Sequence, residues 1–233
     1  MSKQFLAVLI VVLLVFVGII VATSGKSSSG STSSTTQPTE NIEGQGKDGV
    51  SLVEYGDFQC PYCGEYYATV KQVEQQYNQQ ITFQFRNFPL VSIHQNAFAG
   101  ARAAEAAAAQ NKFWQMHDLL YEENVLYYDS NETLASWINS SAPTSYFDKY
   151  ASQLGLNVTK FNQAYNSTKV NDEINADMNA GNKLGIDATP TFYLDGKQVT
   201  LGNSVSAFEA AINKAIATKT QAKASSSTSA AKS

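Results

Sequence analysis

Val50-Ser51-Leu52-Val53-Glu54-Tyr55-Gly56-Asp57-Phe58-Gln59-Cys60-Pro61-Tyr62-Cys63 runs from a strand-like segment into the start of a helix. Val50–Tyr55 is mostly apolar and suits a buried central strand. Pro61 falls where a first helical turn tolerates proline. The helix is expected to continue through Tyr66, Val70 and Val73 to about Tyr77. Cys60 and Cys63 stand at the junction and are the only cysteines in the chain. Two thiols at this spacing can close a small disulfide and reopen it, the minimum equipment for thiol–disulfide exchange. A sulfur at a helix N-terminus feels unpaired backbone N–H groups and the positive end of the helix dipole. Both favour the thiolate, and such placements lower a cysteine pKa from ~8.5 to about 3.5–7.5. Cys60 is therefore expected to be the attacking, more exposed sulfur. Cys63, one turn further in, is expected to be more buried and to act as the resolving thiol or as the partner that a substrate thiol displaces.

Downstream, Ile81–Asn87 alternates cleanly and reads as a second strand, which makes a parallel β-α-β unit. A long helical region follows. Asn96–Ala109 is dense in alanine, and Lys112–Glu122 is amphipathic. Pro143 opens a helix to Leu154, with Gly155 as its stop. Asn157 resembles an N-cap for Val158–Tyr165, and Ser167–Leu184 is the last long helix before Gly185. Thr191–Leu194 and Lys197–Thr200, joined by Asp195-Gly196, form a hairpin signal. Ser206-Ala207-Phe208-Glu209 reads as a capping box opening a final helix to about Ala217. The order β-α-β, helices, β-β-α defines an α/β class: the thioredoxin plan with an all-helical subdomain inserted at about 95–184.

The ends differ from this folded part. Residues 1–4 form a short N-terminus, expected to be cytoplasmic. Residues 5–22 are an unbroken apolar run, long for a signal-peptide core and at the short end for a spanning helix; they read as a transmembrane anchor or uncleaved signal, with a weak cleavage site at Ile20-Val21-Ala22 as the alternative. Residues 23–49, rich in Ser, Thr and Gly, read as a flexible linker, and 218–233 as a disordered tail. The domain at 50–217 is expected on the extracytoplasmic side of a cell membrane, held by a single span, where a CxxC pair meets oxidising conditions. The net charge of -4 and the lack of a basic cluster argue against nucleic acid.

Other readings of the cysteine pair are weaker. A disulfide closing so short a loop restricts the unfolded chain little and makes a poor staple. Zinc needs four ligands, and Cys60, Cys63, His94 and His117 match no finger spacing, so no metal is expected. His117 reads as a packed structural histidine, and His94 as a cap for the first helix of the insert. Trp114 and Tyr121 read as core. Glu54 is an acid inside an apolar strand, for which a solvated edge position is the default. Thr189-Pro190 precedes the Thr191–Leu194 strand and by itself reads as an ordinary turn. Four Asn-x-Ser/Thr sequons, at Asn131, Asn139, Asn157 and Asn166, are what chance supplies in so Asn-, Ser- and Thr-rich a chain.

Several separated blocks carry a resemblance. They are Val53-Glu54-Tyr55-Gly56-Asp57-Phe58-Gln59-Cys60-Pro61-Tyr62-Cys63, Arg86-Asn87-Phe88-Pro89-Leu90, Ala101-Arg102-Ala103-Ala104-Glu105-Ala106-Ala107, Lys112-Phe113-Trp114-Gln115-Met116-His117-Asp118 and Gly185-Ile186-Asp187-Ala188-Thr189-Pro190-Thr191-Phe192. In this order they resemble the DsbA family of thioredoxin-fold oxidoreductases, most of all its membrane-tethered or secreted members outside the enterobacterial type, across nearly all of 50–217. The resemblance implies a cis bond before Pro190 and packing of that proline beside the disulfide. It implies that the Thr189 backbone pairs with an extended substrate segment, a β-addition mode tolerant of sequence. It also implies that Glu54 is a buried acid beneath the disulfide, exchanging a proton with Cys63, its pKa raised by burial.

One position departs from the strongly oxidising enterobacterial type, which carries histidine between Pro61 and Cys63. Here Tyr62 stands there, so Pro61 and Tyr62 are the redox-tuning pair and the strength of oxidation is open. The expected activity is insertion of disulfide bonds into reduced exported proteins through Cys60 and Cys63. No cofactor is expected beyond the redox-active disulfide itself. The resemblance implies reoxidation by a quinone-linked membrane partner, and nothing resembles a dimerisation module, so a monomer is expected. The alternatives are a reductase or isomerase of the same fold, and a non-catalytic tethered chaperone.

Overall fold

The computed structural model describes residues 36–230, with side chains to 226. The expected N-terminus 1–4, the anchor 5–22 and the first part of the linker lie outside them. Among the described residues no helix is long and apolar enough to cross a membrane.

Five strands form one mixed sheet: β1 (Asn41–Glu43), β2 (Val50–Gly56), β3 (Ile81–Asn87), β4 (Thr191–Leu194) and β5 (Lys197–Val199). Their order across the sheet is β1-β3-β2-β4-β5. β2 pairs with β3 in parallel and with β4 antiparallel, so the strand leading to the cysteines is central. The described helices are α1 (Pro61–Tyr77), α2 (Ala97–Ala108), α3 (Phe113–Asp129), α4 (Thr144–Gln153), α5 (Val158–Tyr165), α6 (Thr168–Lys183) and α7 (Val205–Ala230). The α/β class, the thioredoxin order and the helical insert are all as the sequence indicated.

The sheet separates two apolar layers. On one face Val50 and Leu52 of β2, Ile81 and Phe83 of β3, and Phe192 and Leu194 of β4 pack against Val70 and Val73 of α1 and Phe208 and Ile212 of α7. On the other, Tyr55 and Tyr193 meet Phe88 and Ile186. There α6 lies so close that a Cβ on Gly181 would collide with the Phe88 ring, 2.7 Å away. A third cluster joins the insert to the sheet, with Phe58 and Cys63 packed among Phe85, Met116, Leu120 and Tyr121. Trp114 and Tyr121 are core, as expected: Trp114 lies 5.5 Å from the Phe83 ring and Tyr121 is 1% exposed.

Four expectations are corrected. The linker does not extend to residue 49, because Asn41–Glu43 adds an edge strand to β3. Residues 45–48 then bond backbone to backbone with the turn between α1 and β3. α3 does not stop at Glu122 but continues to Asp129. Glu122 faces outward, while Asn124 and Tyr127 carry the buried stripe on. The last helix opens at Val205, where the Ser204 hydroxyl accepts from the Ala207 N–H, so the Ser206 capping box is not formed. That helix runs on to Ala230 instead of yielding to a disordered tail at 218. Lys219, Gln221, Ala222, Lys223 and Ala224 are all good helix formers, and Lys219 is held by the Gly49 carbonyl and the Asp195 carboxylate.

Candidate active site

Local chain geometry builds the site. Cys60 is the N-cap of α1, extended at φ -67° and ψ 124°, with Pro61 in the first turn. Its carbonyl accepts from the Gly64 N–H at 3.2 Å, the first helical bond. Its own N–H donates to the Asp57 carbonyl at 3.0 Å, which closes the turn between β2 and α1. The Cys60 thiol donates to the Thr189 carbonyl at 3.4 Å. Residues 129 positions apart therefore meet at the sulfur, and the Thr189–Pro190 bond is cis. Cys60 and Cys63 are not joined in a disulfide here.

Exposure does not separate the two sulfurs as sharply as expected: Cys60 is 3% exposed and Cys63 1%. Their polar surroundings do. The Cys63 thiol, the Thr189 hydroxyl and the Cys63 backbone N–H favour the Cys60 thiolate against the cost of burial, and hold its pKa down to about 6. Cys63 is pushed well above the usual thiol range, by burial first and then by the Cys60 and Glu54 charges. The helix start contributes to this asymmetry, since the Cys63 backbone N–H in the first turn of α1 bonds the leading sulfur.

Glu54 continues the α1-facing side of β2, two residues beyond Leu52 and four beyond Val50. That parity puts it beneath the cysteines at 3% exposure. Burial, followed by the Cys60 charge, raises its pKa to about 8. The solvated-edge reading of Glu54 is thereby excluded. Tyr62 is 63% exposed. With Tyr66, Thr189, Pro190, Thr191 and Leu201 it lines a groove of about 280 Å³. Thr189 is buried.

The sequence reading missed a polar shell around this loop. Asp57 is buried and accepts from the backbone N–H of Gln59 at 2.8 Å and of Leu90 at 2.9 Å. His94 does not cap a helix; its Nδ1 lies 2.7 Å from the Asp57 carboxylate, which raises the imidazole pKa. The Gln59 side chain accepts from the Asn96 N–H and donates to the Ile138 carbonyl. Asn124 Nδ2 donates to the carbonyls of Phe58 and Cys60. One signal for Asn124 was available: it is a polar residue on the stripe Phe113–Met116–Leu120–Asn124–Tyr127, where apolar residues otherwise recur. His117 is the packed structural histidine expected, 2% exposed, ringed by Phe58, Phe85, Trp114 and Tyr121 and bonded to Asp118. Among the described residues no group of three or more His, Cys, Asp or Glu converges as a metal site.

Comparison with known proteins places this arrangement. The thioredoxin family model matches residues 36–214. A relative from Mycolicibacterium gilvum (strain PYR-GCK), the Na(+)/H(+) antiporter NhaA 1, is 31% identical over 162 residues, which cover 68% of this chain and 24% of that protein. The matched stretch is thus about a quarter of that relative's length. In fold, the chain is similar to oxidised BdbD from Bacillus subtilis, with a TM-score of 0.63 and 20% identity over 78% of this chain and 97% of that one. It is also similar to alpha-DsbA1 from Wolbachia pipientis, with a TM-score of 0.61 and 21% identity over 78% and 93%. A cysteine pair at the mouth of α1, a cis-proline loop against it and a helical insert in a five-stranded sheet agree with these matches, and the chain belongs to the thioredoxin family, in the helix-inserted fold of its DsbA-type proteins.

Proposed function

We propose that the chain is a protein thiol–disulfide oxidoreductase that donates the Cys60–Cys63 disulfide to reduced, exported proteins. The observation that carries this reading is the placement of Cys60 as the α1 N-cap beside the cis-proline loop, where the Cys63 thiol, the Thr189 hydroxyl and the Cys63 backbone N–H hold its thiol down to about 6. A substrate thiolate attacks Cys60 Sγ of the oxidised pair. The Cys60–Cys63 bond breaks, and Cys63 leaves with the electron pair. Its thiolate is disfavoured by burial, and Glu54, largely protonated at neutral pH, is placed to give it a proton. A second substrate thiolate then attacks the substrate sulfur of the mixed disulfide. Cys60 departs as a stabilised thiolate, the substrate is oxidised by two electrons and the enzyme is reduced by two.

The groove beside Pro190 would seat an extended substrate segment, and the exposed Tyr62 ring gives it an apolar wall. A tyrosine brings no positive charge to the thiolate, so the pair is expected to be a milder oxidant than one carrying histidine there. The chain would work as a monomer at the extracytoplasmic face of a membrane, anchored by residues 5–22 and reoxidised by a quinone-linked membrane protein. The tether would raise the effective concentration of that partner.

The test is to mix the oxidised chain with a reduced, unfolded protein bearing two thiols. One disulfide should appear per enzyme disulfide consumed. Cys60→Ala should abolish transfer, whereas Cys63→Ala, offered the same protein with its disulfide intact, should trap the mixed disulfide on Cys60. Transfer that survives Cys60→Ala would refute the reading.

A further inference from the structure

The three carbonyls that lead into the thiol pair are all held by one helix of the insert. Asn124 Nδ2 donates to the Phe58 carbonyl at 2.9 Å and to the Cys60 carbonyl at 3.1 Å. One turn on, the Tyr128 hydroxyl donates to the Gln59 carbonyl at 3.1 Å. Asn124 is 1% exposed, so this amide is spent inside the protein. A second observation points the same way. A Cβ on Gly64, the residue after Cys63, would overlap Asn124 Oδ1, and Gly64 therefore has to be glycine for the amide to reach the loop.

We infer that Asn124, assisted by Tyr128, is a positioning residue for thiol–disulfide exchange: α3 grips the carbonyls of residues 58–60 and so keeps the Cys60 thiolate stabilised. This rests on the reading of Cys60 as the attacking thiolate. The physical argument concerns peptide dipoles. A carbonyl carries the negative end of its dipole, and three of them belong to Cys60 and the two residues before it. Held against α3 donors, their oxygens are neutralised and fixed, while the N–H groups that open α1 are left to face the sulfur. Without the amide, the buried Phe58 carbonyl loses its donor and the loop gains freedom to turn a carbonyl toward the sulfur. Any such turn favours the thiol over the thiolate and makes the disulfide the more stable partner.

The experiment measures the pH profile of Cys60 alkylation by iodoacetamide in the full chain, in Asn124→Leu and in Tyr128→Phe, each with its thermal midpoint and its equilibrium with glutathione. In Asn124→Leu the alkylation midpoint should rise by about one pH unit, and the glutathione equilibrium should move about tenfold toward the disulfide, roughly 30 mV. Tyr128→Phe should move both in the same direction by less. Variants that melt earlier but keep the wild-type alkylation midpoint would overturn the inference, leaving Asn124 a structural residue only. If Asn124→Leu does not fold, Tyr128→Phe decides, since it removes a single half-buried hydroxyl. A wild-type midpoint near 9 would instead sink the functional reading, and the inference with it.

Discussion

Cys60 and Cys63 share one helical turn and differ in what meets each sulfur. Cys60 has the Thr189 loop, the Cys63 thiol and the helix start around it, and its pKa falls to about 6. Cys63 has burial first, then its hydrogen bond with Cys60 and the Cys60 charge, with Glu54 adding to these only when ionised, and its pKa rises. Glu54 is the third member of the set. Its pKa stands near 8 in the fold against an ordinary 4.5, chiefly through burial, which persists when the disulfide forms. Between those values the folded chain keeps a proton that the unfolded chain has released. Its contribution to stability is therefore whole below about 4.5 and is lost as pH rises through about 8. Glu54→Gln removes that loss. Thermal melts should show the variant near wild type at pH 5 and more stable at pH 8.5, by up to about 4 kcal/mol. Disulfide transfer at pH 7 should slow by about a hundredfold if Glu54 handles the Cys63 proton. An unchanged rate would remove Glu54 from the chemistry and leave it a buried acid only.

At the scale of elements, periodicity carried most of the reading. β3 was legible because Ile81, Phe83 and Phe85 alternate with polar residues. α5 and α6 were legible because Asn157 and Ser167 each accept from the N–H three residues on, which sets their starts. β1 was not legible. It is three residues long, lies in a Gly- and Ser-rich region, and is fixed by partners far along the chain. The Thr39 N–H and hydroxyl both donate to Asp177, as do Arg86, the Asn87 N–H and the Asn87 amide. Glu105 takes the Asn41 and Asn87 amides. No local pattern reports a buried carboxylate that gathers donors from two distant segments. The loop of the site was missed for the same reason: Asp57, His94 and Asn124 come from separate elements and meet only in the fold. Asp177 is fully buried, so Asp177→Ala leaves Arg86 and the Thr39 N–H without their acceptor. Urea denaturation should show a loss of about 3–5 kcal/mol. A loss below about 1 kcal/mol would mean that water replaces the carboxylate there.

For the whole molecule, the account turns on long-range closure. β2 delivers the cysteines, the loop before β4 brings Thr189 to them from 129 residues away, and the insert between holds the active-site turn from the other side. The depressed pKa of Cys60 is thus a property of the folded chain and not of the motif. Alkylation of Cys60 across pH, in a Cys63→Ala background and in buffer and in denaturing urea, addresses this directly. The neighbouring thiol is one of the groups that favour the thiolate, so its removal gives up part of the shift. The folded chain should still titrate well below its urea-unfolded form, with the unfolded form near the ordinary value of about 8.5. Coincident curves near 8.5–9 in both conditions would contradict the claim that the fold activates this sulfur.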